Sequence, residues 1–201
     1  MRRRGVAVIL SIVLGGCVSA INEKVASNYG QVGAAAQARG DWDAARRAYA
    51  RSAKNADLAG SDPRRRAIFH YEYERSLGAT CFFVEAEREL SLAYELDKQA
   101  GEPLYLSLGE LARLKLDQKH FQKAVSLFER TLGELDKASA EKEAPIAYAD
   151  ILDEYAAALA GIGRSEESAT ARNRASKIRG VNPKGFSITD RTPYGKHCTK
   201  P

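Results

Sequence analysis

Residues 121–128 read FQKAVSLF: an aromatic (Phe121), a small residue three positions on (Ala124), and a bulky one four positions after that (Phe128). A spacing of four puts Ala124 and Phe128 on one helix face, where the small side chain lets a neighbouring helix approach and the large one fills the gap. The same figure occurs upstream as Trp42, Ala45 and Tyr49, and again as Phe83, Ala86 and Leu90. The segments before the first and third copies carry a small residue at a crossing position, Gly33 after Val32 and Ala112 after Leu111, and Ala156 after Tyr155 repeats it downstream. The chain between these segments is rich in Ala, Leu, Glu, Lys and Arg, with no convincing apolar–polar alternation. The expectation is an all-α chain built from antiparallel helix pairs.

Breaks fall at regular intervals, at Arg39-Gly40-Asp41, Gly60 to Pro63, Leu77 to Thr80, Gly101 to Pro103, Asp117 to Lys119, Glu141 to Pro145 and Gly161 to Gly163. Several carry capping chemistry. Asp41 is placed to cap a helix starting at Trp42, and Asp62 one that opens with Pro63. Gly101 suits the left-handed residue that closes a helix. About eight helices of roughly 14–19 residues result. The tripeptide Arg39-Gly40-Asp41 is thereby explained as turn plus cap.

The recurring small and bulky residues resemble the tetratricopeptide repeat, with the first and third units matching best. The second departs at Glu74, where a small residue is expected after Tyr73. The fourth has Ser168 and Arg172 for the small and aromatic pair, which fits a terminal unit whose outer helix faces water. The small positions Ala45, Ala86, Ala124 and Ser168 lie 41, 38 and 44 residues apart, against about 34 in the standard repeat. The resemblance implies a right-handed solenoid of about four repeats over residues 25–180, its concave face lined by the first helix of each pair. On that register Tyr71, Arg75, Arg113, Asp150 and Asp153 face the groove. Two arginines and a tyrosine there suit a peptide's carboxylates and backbone. From Val181 the helical pattern stops, and NPKGFSITDRTPYGKHCTKP reads as an extended tail over 181–201, with Phe186, Ile188, Tyr194 and Cys198 pointing to a tail docked on the final helices or on a partner.

The N-terminus adds a second signal. Arg2-Arg3-Arg4 precedes about ten apolar residues, Gly5 to Leu14, which is half the ~20 that a membrane-spanning helix needs. Leu14-Gly15-Gly16-Cys17 then resembles the bacterial lipobox. The resemblance implies a signal peptide over 1–16, lipidation at Cys17, and a short tether over 17–24. Val18 after the cysteine favours the outer membrane, with the inner membrane as the alternative. Exported in this way, the chain keeps two further cysteines, Cys81 and Cys198. They are either free thiols or a disulfide closing a loop of more than 100 residues, worth about 4–5 kcal/mol on the chain-entropy argument.

Charge excludes one class. Without Arg2, Arg3 and Arg4 the 31 basic residues fall to 28 against 26 acids, so bulk charge gives no support for nucleic-acid binding. His70, His120 and His197 stand in no metal-ligand spacing, and no nucleophile elbow, phosphate loop or zinc-protease motif occurs. Asp150 and Asp153 are one helical turn apart, the pattern of a solvated face. No cofactor, metal or small-molecule substrate is expected. The leading expectation is an envelope lipoprotein that docks a protein partner in its groove. The alternative is an assembly or secretion chaperone of pilotin-like or barrel-assembly-like kind, and a cell-wall enzyme ranks third.

Overall fold

Short-range sequence rules place most of the helix ends. In the computed structural model, which describes residues 4–187 and 191–198 with side chains from Val18 onward, α1 runs Arg4–Ala38, α2 Trp42–Ala59, α3 Pro63–Ala79 and α4 Phe83–Ala100. Then come α5 Tyr105–Asp117, α6 Phe121–Lys137, the single turn α7 Ala140–Glu143, α8 Pro145–Gly161 and α9 Ser165–Val181. Asp41 accepts from the Ala44 amide at 3.0 Å and Asp62 from the Arg65 amide at 3.1 Å, each satisfying an orphan donor of a helix start. Gly101 adopts φ +71° and returns its N–H to the end of α4. At the α3–α4 corner the left-handed residue is Cys81, φ +74°, an uncommon conformation for a residue with a Cβ.

The helices pair as α1 with α2, α3 with α4, α5 with α6, and α8 with α9; α2 meets α3, α4 meets α5, and α6 meets α8 to join the pairs into one stack. The expected small residues sit at the crossings. Ala45, Ala86 and Ala124 are fully buried, as are their bulky partners Leu90 and Phe128, with Tyr49 nearly so. A Cβ at Gly33 would come within 2.8 Å of the Tyr49 ring, so the first pair closes only because that position is glycine. Ser168 fills the small position of the last pair and donates to the Ala156 carbonyl at 2.8 Å, as Ser52 does to the Ala26 carbonyl at 2.7 Å in the first. The buried residues of α9 are Ser168, Ala171, Ala175 and Ile178, one stripe only, and the rest of the helix faces solvent as a terminal unit must.

Two expectations need correction. Residues 18–24, read as a short tether outside the helical domain, are helical. The Ser19 hydroxyl donates to the Ala59 carbonyl at 2.6 Å, and Glu23 pairs with Arg65 at 2.8 Å, so contacts with α2 and α3 carry the helix back toward residue 17. The tail docks as expected, but on α3 and α5 rather than on the final helices. Phe186 is exposed, whereas residues 191–198 return across the stack and bury Thr192 and Tyr194. The Cys17 side chain, and Ile188 of the tail, lie outside the described residues.

Candidate functional site

The concave side is built on α3, α5 and α8, and the returning tail lies across it. Gly78, on the last turn of α3, has no side chain, and a Cβ there would overlap the Tyr194 ring. The tail backbone completes the helix end: the Gly195 amide donates to the Gly78 carbonyl at 3.0 Å and the His197 amide to the Ala79 carbonyl at 2.9 Å. These are carbonyls that a helix terminus leaves without an internal partner. The His197 ring lies 5.9 Å from that of Trp42 at the start of α2. Cys198 is joined to Cys81, Cα atoms 5.1 Å apart, which decides between the two readings of this cysteine pair.

Beneath the tail the floor is acidic. The Tyr194 hydroxyl is 2.7 Å from Glu74 Oε1 and 2.8 Å from Glu110 Oε2, and both carboxyls are buried. A phenol has one proton to give, so two ionised acceptors cannot both be satisfied. Burial above all, reinforced by the charge of Glu110, holds the Glu74 carboxyl well above the usual carboxylate range, against the opposing effects of Tyr194 and Arg75. The one phenol proton is therefore shared between the two carboxyls, and burial makes Glu74 hold a proton of its own to higher pH than an ordinary carboxyl. Thr192 fits the same scheme, donating from Oγ1 to Glu110 Oε2 at 2.9 Å and accepting from Arg75 Nε at 2.8 Å. Arg113 neutralises the charge that remains, through Nη1 to Glu110 at 2.7 Å and Nε to Glu154 at 2.8 Å. Arg191 joins the tail to Asp117 at 2.7 Å and Glu154 at 2.9 Å.

Three of the five expected groove residues converge here. Tyr71, Arg75 and Arg113 line one open cleft of about 480 Å³ beside the tail, walled by Tyr105, Leu106, Leu135, Tyr148 and Ile151. That volume lies within the ~300–1,000 Å³ usual for ligand pockets. The arginines do not stand ready for a partner's carboxylates, because Glu72, Glu110, Glu154 and Thr192 already engage them. Asp150 and Asp153 are elsewhere: both pair with Arg179 of α9, at 2.8 and 2.7 Å. On α8 the cleft face is Ala147 and Ile151, continuing to Glu154. At 100° per residue, Asp150 and Asp153 are rotated about 60° and 120° from Ala147, toward α9. Sequence reasoning did not assign Glu110, Glu154, Thr192 or Arg191 to the site. It noted Glu74 only as a departure from the repeat and Tyr194 only as a residue able to tuck.

A second buried ionic cluster lies outside the groove. His70 contacts Glu89 at 2.7 Å and Asp57 at 3.3 Å, tying α3 to α4 and α2. Burial pulls its pKa down, but the hydrogen bonds and charges of Glu89 and Asp57 outweigh that, and the net direction is upward. No group of three or more His, Cys, Asp or Glu arranged to hold a metal occurs among the described residues.

The Glu74 shift has a consequence for pH. A carboxyl whose folded pKa is raised contributes its full stabilisation below the unfolded value, near 4.5, and loses it as pH rises through the folded value. His70 acts with the same sign, its contribution fading above 6.5. Thermal midpoints are thus expected to fall as pH rises through neutrality. Glu74→Gln, which keeps a neutral donor facing Tyr194, is expected to flatten the Glu74 part of that fall. An unchanged pH profile in this variant would mean that Glu74 is ionised in the folded chain.

No protein-family model matches the chain, and no curated protein does. Solved structures do. BtubC (BKLC) from P. vanneervenii superposes with TM-score 0.74 at 16% identity, covering 83% of this chain and 67% of that one. A Podosopora anserina protein described as a kinesin light chain with nearly identical TPR-like repeats gives TM-score 0.64 at 19% identity, covering 80% and 77%. At such identities the likeness is one of fold. The chain is a tetratricopeptide-like stack of helix pairs.

Proposed function

We propose that this chain is a membrane-tethered interaction module: an envelope lipoprotein, acylated at Cys17 and held at the periplasmic face of the outer membrane, that docks a protein partner on its concave face. The observation that carries the docking half is the open cleft. Leu106 stands exposed in its wall, Tyr71 and Tyr105 line it half-buried, and the buried Tyr148, Arg113 and Glu110 lie at its base. Leu106 is about half exposed there, which suits an apolar anchor residue entering the cleft. The anchoring half rests on the lipobox resemblance. Because Ser19 is already bonded to Ala59 of α2, an acylated Cys17 would leave no spacer, and that end of the stack would sit against the headgroups.

Each half has its own test. Cys17→Ser is expected to abolish fatty-acid labelling and move the protein from the membrane to the soluble fraction; continued labelling would remove the anchor. A photo-crosslinking residue at Leu106 is expected to give discrete adducts in intact cells, and one at the exposed Val84 of α4 none. Adducts absent from position 106, or equal at both positions, would remove the cleft as the docking surface.

A further inference from the structure

The tail is bound as a ligand is bound. Over Arg191 to Tyr194 it offers a guanidinium to Asp117 and Glu154, a hydroxyl to Glu110, and a phenol to Glu74 and Glu110. The side groups that carry this contact are complementary in charge to the floor. The glycine at position 78 makes the room the phenol ring needs. Tyr194 packs with Leu77, Ala86 and Leu114, but the helix pairs are also joined directly, α2 to α3, α4 to α5 and α6 to α8. In a repeat array each unit is held by its neighbours, so the floor persists when its occupant leaves. The lock on that occupant is at the surface: Cys198 is exposed and Cys81 partly so, joined across 117 residues.

We propose that the concave floor is a binding site for a segment of the pattern Arg-Thr-x-Tyr, filled in cis by residues 191–194 and held shut by the Cys81–Cys198 disulfide, so that a partner segment of that chemistry enters once a dithiol opens the bond. The opening step is balanced: the dithiol gives two electrons and two protons, becomes its own disulfide, and leaves Cys81 and Cys198 as thiols. While the disulfide is intact, the tether keeps the cis segment at an effective concentration of the order of millimolar or higher, which a partner must outcompete. The inference rests on the reading of the concave face as a docking surface, and adds to it the occupant's chemistry and the gate.

The test uses the full chain and a fluorescein-labelled synthetic peptide with the sequence of residues 191–197, followed by anisotropy. In Tyr194→Ala the cis segment loses its anchor while Glu74, Glu110 and Arg75 remain. This chain is expected to bind the peptide at least tenfold more tightly than the oxidised wild-type chain does. A peptide carrying the same alanine in place of its tyrosine is expected to lose that gain. Wild-type chain treated with dithiothreitol is expected to fall between the two, because its own tail still competes. Three outcomes overturn the proposal: a helical Tyr194→Ala chain that takes up no peptide, equal binding of the tyrosine and alanine peptides, or loss of helicity on either reduction or substitution, which would make the tail core rather than ligand. Crosslinks at Leu106 read the open cleft independently. Adducts there without peptide binding would defeat the gate and leave the docking surface standing.

Discussion

Tyr194→Ala is expected to lower the stability of the oxidised protein by about 3 kcal/mol in urea denaturation, within the ~3–5 kcal/mol seen when a buried aromatic is truncated to alanine. Two effects add. The ring leaves a void over Gly78, and its hydroxyl no longer separates Glu74 from Glu110. The loss is limited by the docking free energy of the segment, because a weakly held tail lifts off and lets water in, so the measured value reports how tightly 191–198 is held. Tyr194→Phe separates the effects: it keeps the ring and removes the hydroxyl, which is expected to cost about 1–3 kcal/mol. A change below about 1 kcal/mol for the alanine variant would mean that the tail is not seated on this floor.

Arg113→Ala is expected to be at least as damaging, about 3–5 kcal/mol, the range for removing one partner of a buried ion pair. Arg113 is nearly inaccessible and holds Glu110 and Glu154 together, linking α5 to α8. Without it Glu110 is a buried carboxylate beside a second acid, with Arg75 bonded to Thr192 rather than to it. Glu110→Gln in the same chain is expected to recover about 1–3 kcal/mol, since the orphaned charge and not the lost packing dominates. Recovery of nothing would assign the damage to packing.

What was legible in the sequence follows from how far each signal reaches. Caps at Asp41 and Asp62 and the closing glycine at 101 act within one turn, and they stand where the residue types put them. The small and bulky pairs Ala45/Tyr49, Ala86/Leu90 and Ala124/Phe128 are also local, and their burial gave the pairwise packing. Helix phase against a neighbour is less legible. Asp150 and Asp153 were placed in the groove, but a rotation of one residue hands them to Arg179. The start of the first helix was missed because Val18 to Lys24 lies outside the repeat pattern, although Ala20, Glu23 and Lys24 favour a helix, and contacts with Ala59 and Arg65 support it.

The floor was the least legible part. Tyr194 meets Glu74 and Glu110 across 120 and 84 residues, and no periodicity spans that distance. Its trace was an irregularity: Glu74 where the repeat wants a small side chain, buried because it has a phenol to bind. The cysteine pair pointed the same way, yet with free thiols equally open it fixed no register.

Amide hydrogen exchange resolved at Gly195 and His197 of the oxidised chain tests the central claim most directly, because these are the tail amides bonded to the end of α3. Protection of at least about a hundredfold over the same segment as a free peptide is predicted for a docked tail. Exchange at free-peptide rates would contradict it, and with it the picture of a concave face occupied by the chain's own Arg-Thr-Pro-Tyr segment.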